Sequence, residues 1–493
     1  MTSGILMIQG TGSDAGKSTV VAGLCRLARR RGLSVAPFKP QNMSNNAAVC
    51  LDGGEIGRAQ ALQARAAGRQ ATVDMNPILL KPQSDRGAQL VVHGRAVGMQ
   101  DAAAYRTDRG PLLAPVLESF ERLRADADLI LVEGAGSAAE TNLRAGDIAN
   151  MGFARAVEAP VCLLADIHRG GVIAAVAGTR AVLNPADTAL VTSFLINRFR
   201  GDPTLFNDGV REIEGRTGWP CRGVIPWLEA AQRLPREDAA SLESAAAPVT
   251  GERKRSLRIV APTLSRIANF DDIDPLRAEP GVDFAFIPPG EPIPRDADVV
   301  LLPGTKSTLA ELAFLRTQGW DHDIISHGRT GGRVLGLCGG YQMLGRAVRD
   351  PAGSDGGSGD AAGLGLLDVE TVMSTEKTVR PAFGTCVHGS TPITGYEIHM
   401  GTTKGPDADA RPFAQLASGP DGATDATGRI EGTYLHGLFS NDRFRSAWLE
   451  RARTGTGSPL VWDHVIESAL DELADGIAAA VDVDALFRDA GLE

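Results

Sequence analysis

The sequence predicts an α/β protein built as two α/β domains. Short apolar strands alternate with helical stripes, the pattern of a parallel sheet with crossover helices. The alternation lapses over residues 235–256, PREDAASLESAAAPVTGERKRS, and then restarts. Each half also holds one strand–glycine turn–helix junction, at 10–18 and at 336–344. At roughly 100–200 residues per domain, 493 residues suffice for two domains of this kind.

The elements follow in order. Residues 5–8 read as a strand, 10–16 as a loop, and 17–31 as a helix with a stripe of Val20, Val21, Leu24 and Leu27. Gly32 ends the helix and 33–38 is the next strand. Further strands are expected at 129–132, 161–165, 189–196 and near 223–225, and after the seam at 257–261, 284–287, 299–302 and 334–337. Residues 351–363, PAGSDGGSGDAAG, read as a surface loop. The expected division is 1–235, a linker over 236–256, and a second α/β domain over 257–493.

Composition narrows the classes. Hydrophobic residues are 43% and charged residues 22%, enough apolar material for packed cores. Aromatics are only 5%, so the cores must be aliphatic. No apolar run reaches the ~18 residues a membrane helix needs. The opening MTSGILMIQGTGSDAGKS does not read as a signal peptide. A cytoplasmic protein without a membrane partner is expected. Cysteines 25, 50, 162, 221, 338 and 386 have no CxxC or metal-ligand spacing and read as free thiols. A net charge of −10 argues against nucleic acid as a partner. Basic residues are overwhelmingly Arg, with Lys only at 17, 39, 81, 254, 306, 377 and 404. A lysine in this chain therefore marks, weakly, a place where a compact charge is wanted.

Two junctions carry chemistry. Gly10-Thr-Gly-Ser-Asp-Ala-Gly-Lys-Ser18, between strand and helix, is a phosphate-binding loop. Lys17 would reach the β- and γ-phosphates and Ser18 would ligate Mg²⁺. Glu133, in Leu131-Val-Glu-Gly-Ala-Gly136, ends a later strand and can face the same crevice as a second Mg²⁺ ligand. In Val334-Leu-Gly-Leu-Cys-Gly-Gly-Tyr-Gln-Met-Leu344, Cys338 stands at a nucleophile elbow, with small neighbours allowing the sharp turn. His436, His399 and His388 are the candidate bases. Gly304, after the strand at 299–302, can add an oxyanion donor to that of Gly339.

Together these motifs resemble the cobyric acid synthase family, over nearly the whole chain. The N-terminal half is similar to dethiobiotin synthetase-type ATP-dependent ligases, with the longer G-T-x-x-x-x-G-K-S loop. The C-terminal half is similar to class I glutamine amidotransferase domains. Lys39-Pro-Gln-Asn-Met-Ser-Asn-Asn46, Met75-Asn-Pro-Ile-Leu-Leu-Lys-Pro82 and Ala165-Asp-Ile-His-Arg-Gly-Gly171 point to this family in particular. The Gln-Asn-Met-Ser-Asn-Asn stretch distinguishes it from a,c-diamide synthases and CTP synthase-like ligases. The Cys elbow distinguishes it from partitioning-type ATPases.

The resemblance implies a glutamine-hydrolysing amidoligase that uses ATP and Mg²⁺. It would amidate four peripheral carboxylates (b, d, e and g) of adenosylcobyrinic acid a,c-diamide, a corrinoid, to give adenosylcobyric acid. It implies ATP binding by Gly10, Thr11, Asp14, Ala15, Gly16, Lys17, Ser18, Thr19 and Lys39. It selects His436 as the base for Cys338, and offers Gln41, Asn42, Asn45 and Lys81 as substrate contacts. Lys39, Lys81, Arg86, Arg95 and Arg144 are candidates for a basic wall facing the corrinoid carboxylates. Two positions depart from the wider pattern. Class I enzymes carry a Glu two residues after the His, where this chain has Leu438, so nothing in the motif orients His436. His168 stands where an acid is often found and receives no role. Small molecules are the expected partners, with a homo-oligomer left open.

Overall fold

The computed structural model describes residues 3–83, 87–101, 105, 109–235, 237, 256–355 and 359–492. Its first layer is a six-stranded parallel sheet of β1 (Gly4–Gly10), β2 (Val35–Phe38), β3 (Leu129–Glu133), β4 (Val161–Asp166), β5 (Val191–Phe199) and β6 (Cys221–Pro226). The spatial order is β6-β5-β4-β1-β3-β2. The central strands are buried on both faces and therefore read as unbroken apolar runs, such as Leu-Ile-Leu-Val in β3. The first helix, α1 (Lys17–Arg30), follows β1 directly, and α2 (Arg58–Ala67) packs beside it. Short strands at Gln41–Met43, Ile78–Pro82, Gly87–Val92 and Arg95–Asp101 form a separate four-stranded sheet leaning toward the second half.

The second half is built on β7 (Leu257–Pro262), β8 (Val282–Ile287), β9 (Val299–Leu302), β10 (Arg333–Leu337), β11 (Ala423–Thr424) and β12 (Ile430–Thr433). Their order is β8-β7-β9-β10-β12-β11, parallel except for the β11 edge. Beyond it runs a long antiparallel hairpin, Glu370–Cys386 with Thr391–Lys404. Ile398 of this hairpin packs with Ala47, Leu79 and Val91 of the first half, an apolar seam between the two. Around that seam, Arg58 pairs with Asp271 at 2.7 Å, and Ser307 Oγ donates to the Gln83 carbonyl at 3.0 Å.

The structure corrects two expectations. The span 257–493 is not one unit, because the chain returns. Helices α4 (Trp462–Ala480) and α5 (Val483–Asp489) lie in the core of the first sheet, with Ile466, Leu470, Leu473 and Ile477 against Val20, Leu24 and Leu27. The apolar stripe of α4 matches that of α1, and its acidic flank answers a basic one: Arg26 pairs with Glu467 at 2.6 Å and Asp471 at 2.7 Å. Gly23 permits the close approach, since a Cβ there would lie 2.3 Å from Ile477 Cδ1. The second correction is local. Gly359–Ala362, read as loop, pairs antiparallel with Ala347–Asp350. Of the expected linker over 236–256, residues 236 and 238–255 lie outside the described residues, as does Arg86.

Candidate active sites

The phosphate loop joins β1 to α1. Gly16 has φ +89°, and a Cβ there would lie 2.4 Å from Asn197 Nδ2, so only glycine fits. Asn197 Nδ2 in turn donates to the Ala15 carbonyl at 2.8 Å. Lys17 folds back over the loop, and its Nζ donates to the carbonyls of Gly12 (3.0 Å), Ser13 (3.1 Å) and Gly136 (2.8 Å). Burial, together with nearby Lys39 and against the pull of Glu133, pushes Lys17 down to about 8.

Glu133 ends β3 beside this loop. Ser18 Oγ lies 2.7 Å from Glu133 Oε1 and 2.6 Å from Glu237 Oε2. Lys39 Nζ donates to the same two carboxylates, at 2.7 Å and 3.0 Å. The other oxygen of Glu133 accepts from Gln63 at 2.6 Å and Gln60 at 3.3 Å, both on α2. Burial opposes charge on Lys39, but Glu133 and Glu237 overcome it and hold the ammonium above the ordinary lysine range.

A cavity of about 1230 Å³ opens over this group. Of the loop residues, Asp14, Gly16, Lys17, Ser18 and Thr19 line it, with Lys39, Gln41, Asn42 and Glu133. Gly10, Thr11 and Ala15 form the layer behind, and Asn45 is not on its wall. Asp14 pairs with Arg169 and Arg198 at the loop tip.

The basic wall differs from expectation. Lys39 is held between carboxylates and Arg144 is paired with Asp187 at 2.7 Å. Arg95 is exposed on an edge strand and is not on the cavity. Lys39 and Arg144 still line the cavity, and so do Arg109, Arg169, Arg198 and Arg200; the Arg200 guanidinium lies 4.0 Å from the ring centroid of Trp227, and its Nε donates to His168 Nδ1 at 3.3 Å. Lys81 is also corrected as a contact of this cavity. It is buried, paired with Glu55 at 2.9 Å, and lines a different, smaller cavity.

That smaller cavity holds the thiol. Cys338 stands between β10 and α3 (Gly339–Leu344) with φ +51° and ψ −108°, a strained conformation for a non-glycine residue. The turn depends on its neighbours. A Cβ at Gly340 would lie 2.1 Å from the Leu302 carbonyl oxygen, and one at Gly336 would lie 2.6 Å from the Gly340 carbonyl carbon. Gly304 sits over the thiol, where a Cβ would lie 3.7 Å from Cys338 Cβ and 3.2 Å from His436 Cε1. Gly339 is packed under Thr305.

His436 is the histidine brought to Cys338 with an acid behind it. Its Nδ1 lies 2.6 Å from Asp272 Oδ2, and Asp272 Oδ1 accepts from the Gly437 amide at 2.6 Å. Tyr396 stacks on the ring, 5.5 Å between centroids. Burial would lower His436, but Asp272 and the hydrogen bond with Cys338 hold it up at about 10. The imidazole is therefore held in its protonated form beside the sulfur. His399 lines the same cavity but stacks on Tyr434, with Nε2 3.6 Å from Glu397 and Nδ1 unpartnered. His388 is not on the cavity wall.

Asp272 is the residue the motifs missed. It stands 164 residues before His436, in Phe270-Asp-Asp-Ile273, and takes the place that Leu438 left empty. The doubled acid, in a short turn that leads into a helix, was its only signal. Glu237, in the stretch read as linker, had none.

Comparison with known proteins matches this layout. A CobQ/CobB/MinD/ParA nucleotide binding domain matches residues 6–242, and a CobB/CobQ-like glutamine amidotransferase domain matches 258–444. The chain is 62% identical over 487 residues to the cobyric acid synthase of Hyphomonas neptunium, covering 99% of this chain and 97% of that one. It is 59% identical to that of Paracoccus denitrificans (98% and 99% covered) and 58% identical to that of a Caulobacter species (99% of each). The chain belongs to the cobyric acid synthase family. It is an enzyme, an ATP-dependent amidoligase that draws on glutamine in cobalamin biosynthesis. No described helix is long and apolar enough to cross a membrane.

Proposed function

We propose that this enzyme amidates the b, d, e and g carboxylates of adenosylcobyrinic acid a,c-diamide, giving adenosylcobyric acid, with one glutamine and one ATP consumed per amide. The observation that carries this reading is the Cys338–His436–Asp272 alignment together with a separate phosphate-loop cavity of about 1230 Å³. The division proposed is a ligase unit of 1–235 completed by 462–490, and a glutaminase unit from 257 to about 452.

A carboxylate is a poor acyl donor, because oxide is a poor leaving group. Transfer of the γ-phosphoryl group makes an acyl phosphate that ammonia can attack. Lys17 is placed to stabilise the transferring charge, and the loop amides to cradle it. Mg²⁺ fits the donor set here: hard oxygens from Ser18 and Glu133, with phosphates completing the shell. Bound there, Mg²⁺ would neutralise phosphate charge.

In the second cavity Cys338 Sγ attacks the glutamine side-chain carbonyl. His436 passes a proton to the departing ammonia, and water releases glutamate from the thioester. Asp272 holds the imidazole by Nδ1 and so presents Nε2 to the sulfur. Ammonia then crosses the seam to the acyl phosphate, which must stay sheltered from water.

The test supplies enzyme, glutamine, ATP, Mg²⁺ and the a,c-diamide corrinoid and resolves products by mass. Four successive gains of an amide are expected. A corrinoid left unchanged while another carboxylic acid is turned over would defeat the substrate assignment.

A further inference from the structure

The mechanism leaves three lysines of the thiol cavity unused. Lys81, Lys306 and Lys377 line it together with Cys338 and His436. Lys81 Nζ donates to Glu55 Oε2 at 2.9 Å, and Lys377 grips the other oxygen of that carboxylate. Lys377 and Lys306 share one amide oxygen, Gln89 Oε1, at 2.9 Å and 3.1 Å. Three cations thus converge on one carboxylate and one amide. Glu55 lies behind the wall, and the carboxylate on the wall itself, among the described residues, is Asp355. It already accepts from the Leu309 amide at 2.8 Å, and burial pushes it up to about 6. With all three lysines protonated, the cluster would carry one positive charge more than Glu55 and Asp355 balance, even with Asp355 ionised.

The imbalance has a physical signature. Burial and mutual repulsion hold Lys306 well below the ordinary lysine range, and burial, against the pull of Glu55, brings Lys377 down to about 8. Glu55 itself is held down at about 2, because the two lysines outweigh its burial. A buried cation without a counter-ion is costly. Lysines gathered in excess, in a chain that otherwise writes arginine, suit an anion that comes and goes.

The thiol says which anion. Resting on the reading that Cys338 attacks the glutamine side-chain amide, the rest of the glutamine must lie along the same cavity. Its α-carboxylate carbon is about 5 Å of extended chain from the amide carbon, by ordinary bond lengths. We propose that Lys306 and Lys377 bind the glutamine α-carboxylate, and that Lys81, Glu55 and Gln89 position them from the ligase unit. The glutamine site is then composite. The lysines that grip the substrate belong to one unit and the groups that aim them to the other, so glutamine is bound productively when the units are docked.

The experiment compares glutamine with glutaminamide, in which the α-carboxylate is a neutral carboxamide and the side-chain amide carries an isotopic label. Release of labelled ammonia is the readout. The unmodified enzyme should prefer glutamine by about 30-fold or more in kcat/KM, the scale of a charged hydrogen bond. Lys306→Met should shrink that preference to about 3-fold or less, chiefly through the KM for glutamine, and Lys306→Arg should restore part of it. Equal use of both substrates by the unmodified enzyme, a measurement that needs no variant to fold, overturns the proposal. So does a full preference in Lys306→Met. If that variant instead wastes glutamine per amide formed with its preference intact, the lysines line the ammonia route and the proposal is wrong. Cys338→Ala separates the two levels. Hydrolysis that survives without the thiol defeats the glutaminase reading and the proposal with it. Hydrolysis that needs the thiol but ignores the α-carboxylate defeats the proposal alone.

Discussion

In the phosphate-loop cavity Lys39 sits between two carboxylates, Glu133 and Glu237, and is held charged. In the thiol cavity three lysines share Glu55 and Gln89, and two of them are driven toward neutrality. The contrast follows what each site must receive. Lys17 donates only to backbone carbonyls, and on the proposed reading a nucleotide would arrive with its own metal, so acids there would be an asset as its ligands. A metal-free amino-acid site has no cation to bring and must supply every positive charge itself. The same residue type is therefore ion-paired and held charged in one cavity, and outnumbers its acid partner in the other.

The largest expected effect tests whether the two cavities are separable. Cys338→Ser should lose glutamine-dependent synthesis by at least about 10²–10⁴-fold, the scale on which a nucleophile–base pair works, yet still make amides from ammonium salts at alkaline pH. Lys17→Ala should fail with both nitrogen sources while keeping glutaminase activity. Steady-state rates with each donor check this, and rescue of both variants, or of neither, breaks the division.

A smaller effect sharpens the thiol side. Asp272→Asn should cost about 10²-fold or more in glutamine hydrolysis, with ammonia-dependent synthesis retained. It also has a pH signature. His436 is raised from 6.5 to about 10 in the folded protein, so between those values the folded state holds a proton that the unfolded chain has lost. Its stabilisation is complete below pH 6.5 and declines as pH rises toward 10. Asp272→Asn should flatten that decline in denaturation midpoints taken across the window. An unchanged slope would mean that Asp272 does not set the charge of His436.

The smallest effect lies away from both cavities. Gly23→Ala pushes a methyl into Ile477 and should destabilise the ligase unit by about 1–3 kcal/mol, the usual cost of overpacking. Glutaminase kinetics should be unchanged at temperatures where the protein remains folded. Chemical denaturation measures the first and initial rates the second.

What was legible in the sequence was local. The phosphate loop, Glu133 at its strand end and the Cys elbow are runs of consecutive residues whose backbone conformation is written by their own glycines, such as Gly16 and Gly340. Asp272, Glu55 and Gln89 act through partners far along the chain, and apart from the doubled acid at 271–272 nothing in their own neighbourhoods marks them. The helix α4 was not read as a partner of α1, because a stripe of Leu, Ile and Ala fits many surfaces until its acidic flank is set against Arg26 and Arg30. Lysine scarcity was the one global clue with reach: five of the seven lysines, at 17, 39, 81, 306 and 377, stand on the two cavities.

The return of the chain through α4 and α5 has a mechanical consequence. Ile5 N donates to the Ala490 carbonyl at 2.9 Å, so the two ends of the ligase unit are neighbours and the glutaminase unit is a cassette spliced into it. A cassette held by two strands of chain has far less freedom to swing than one trailing from a single strand. Its search for the docked pose is nearly intramolecular at high effective concentration, and stopping the chain at residue 452 would strip the cover from α1 rather than release a working ligase. Fusing the neighbouring ends with a short loop and opening the chain elsewhere, by contrast, should leave both cavities intact.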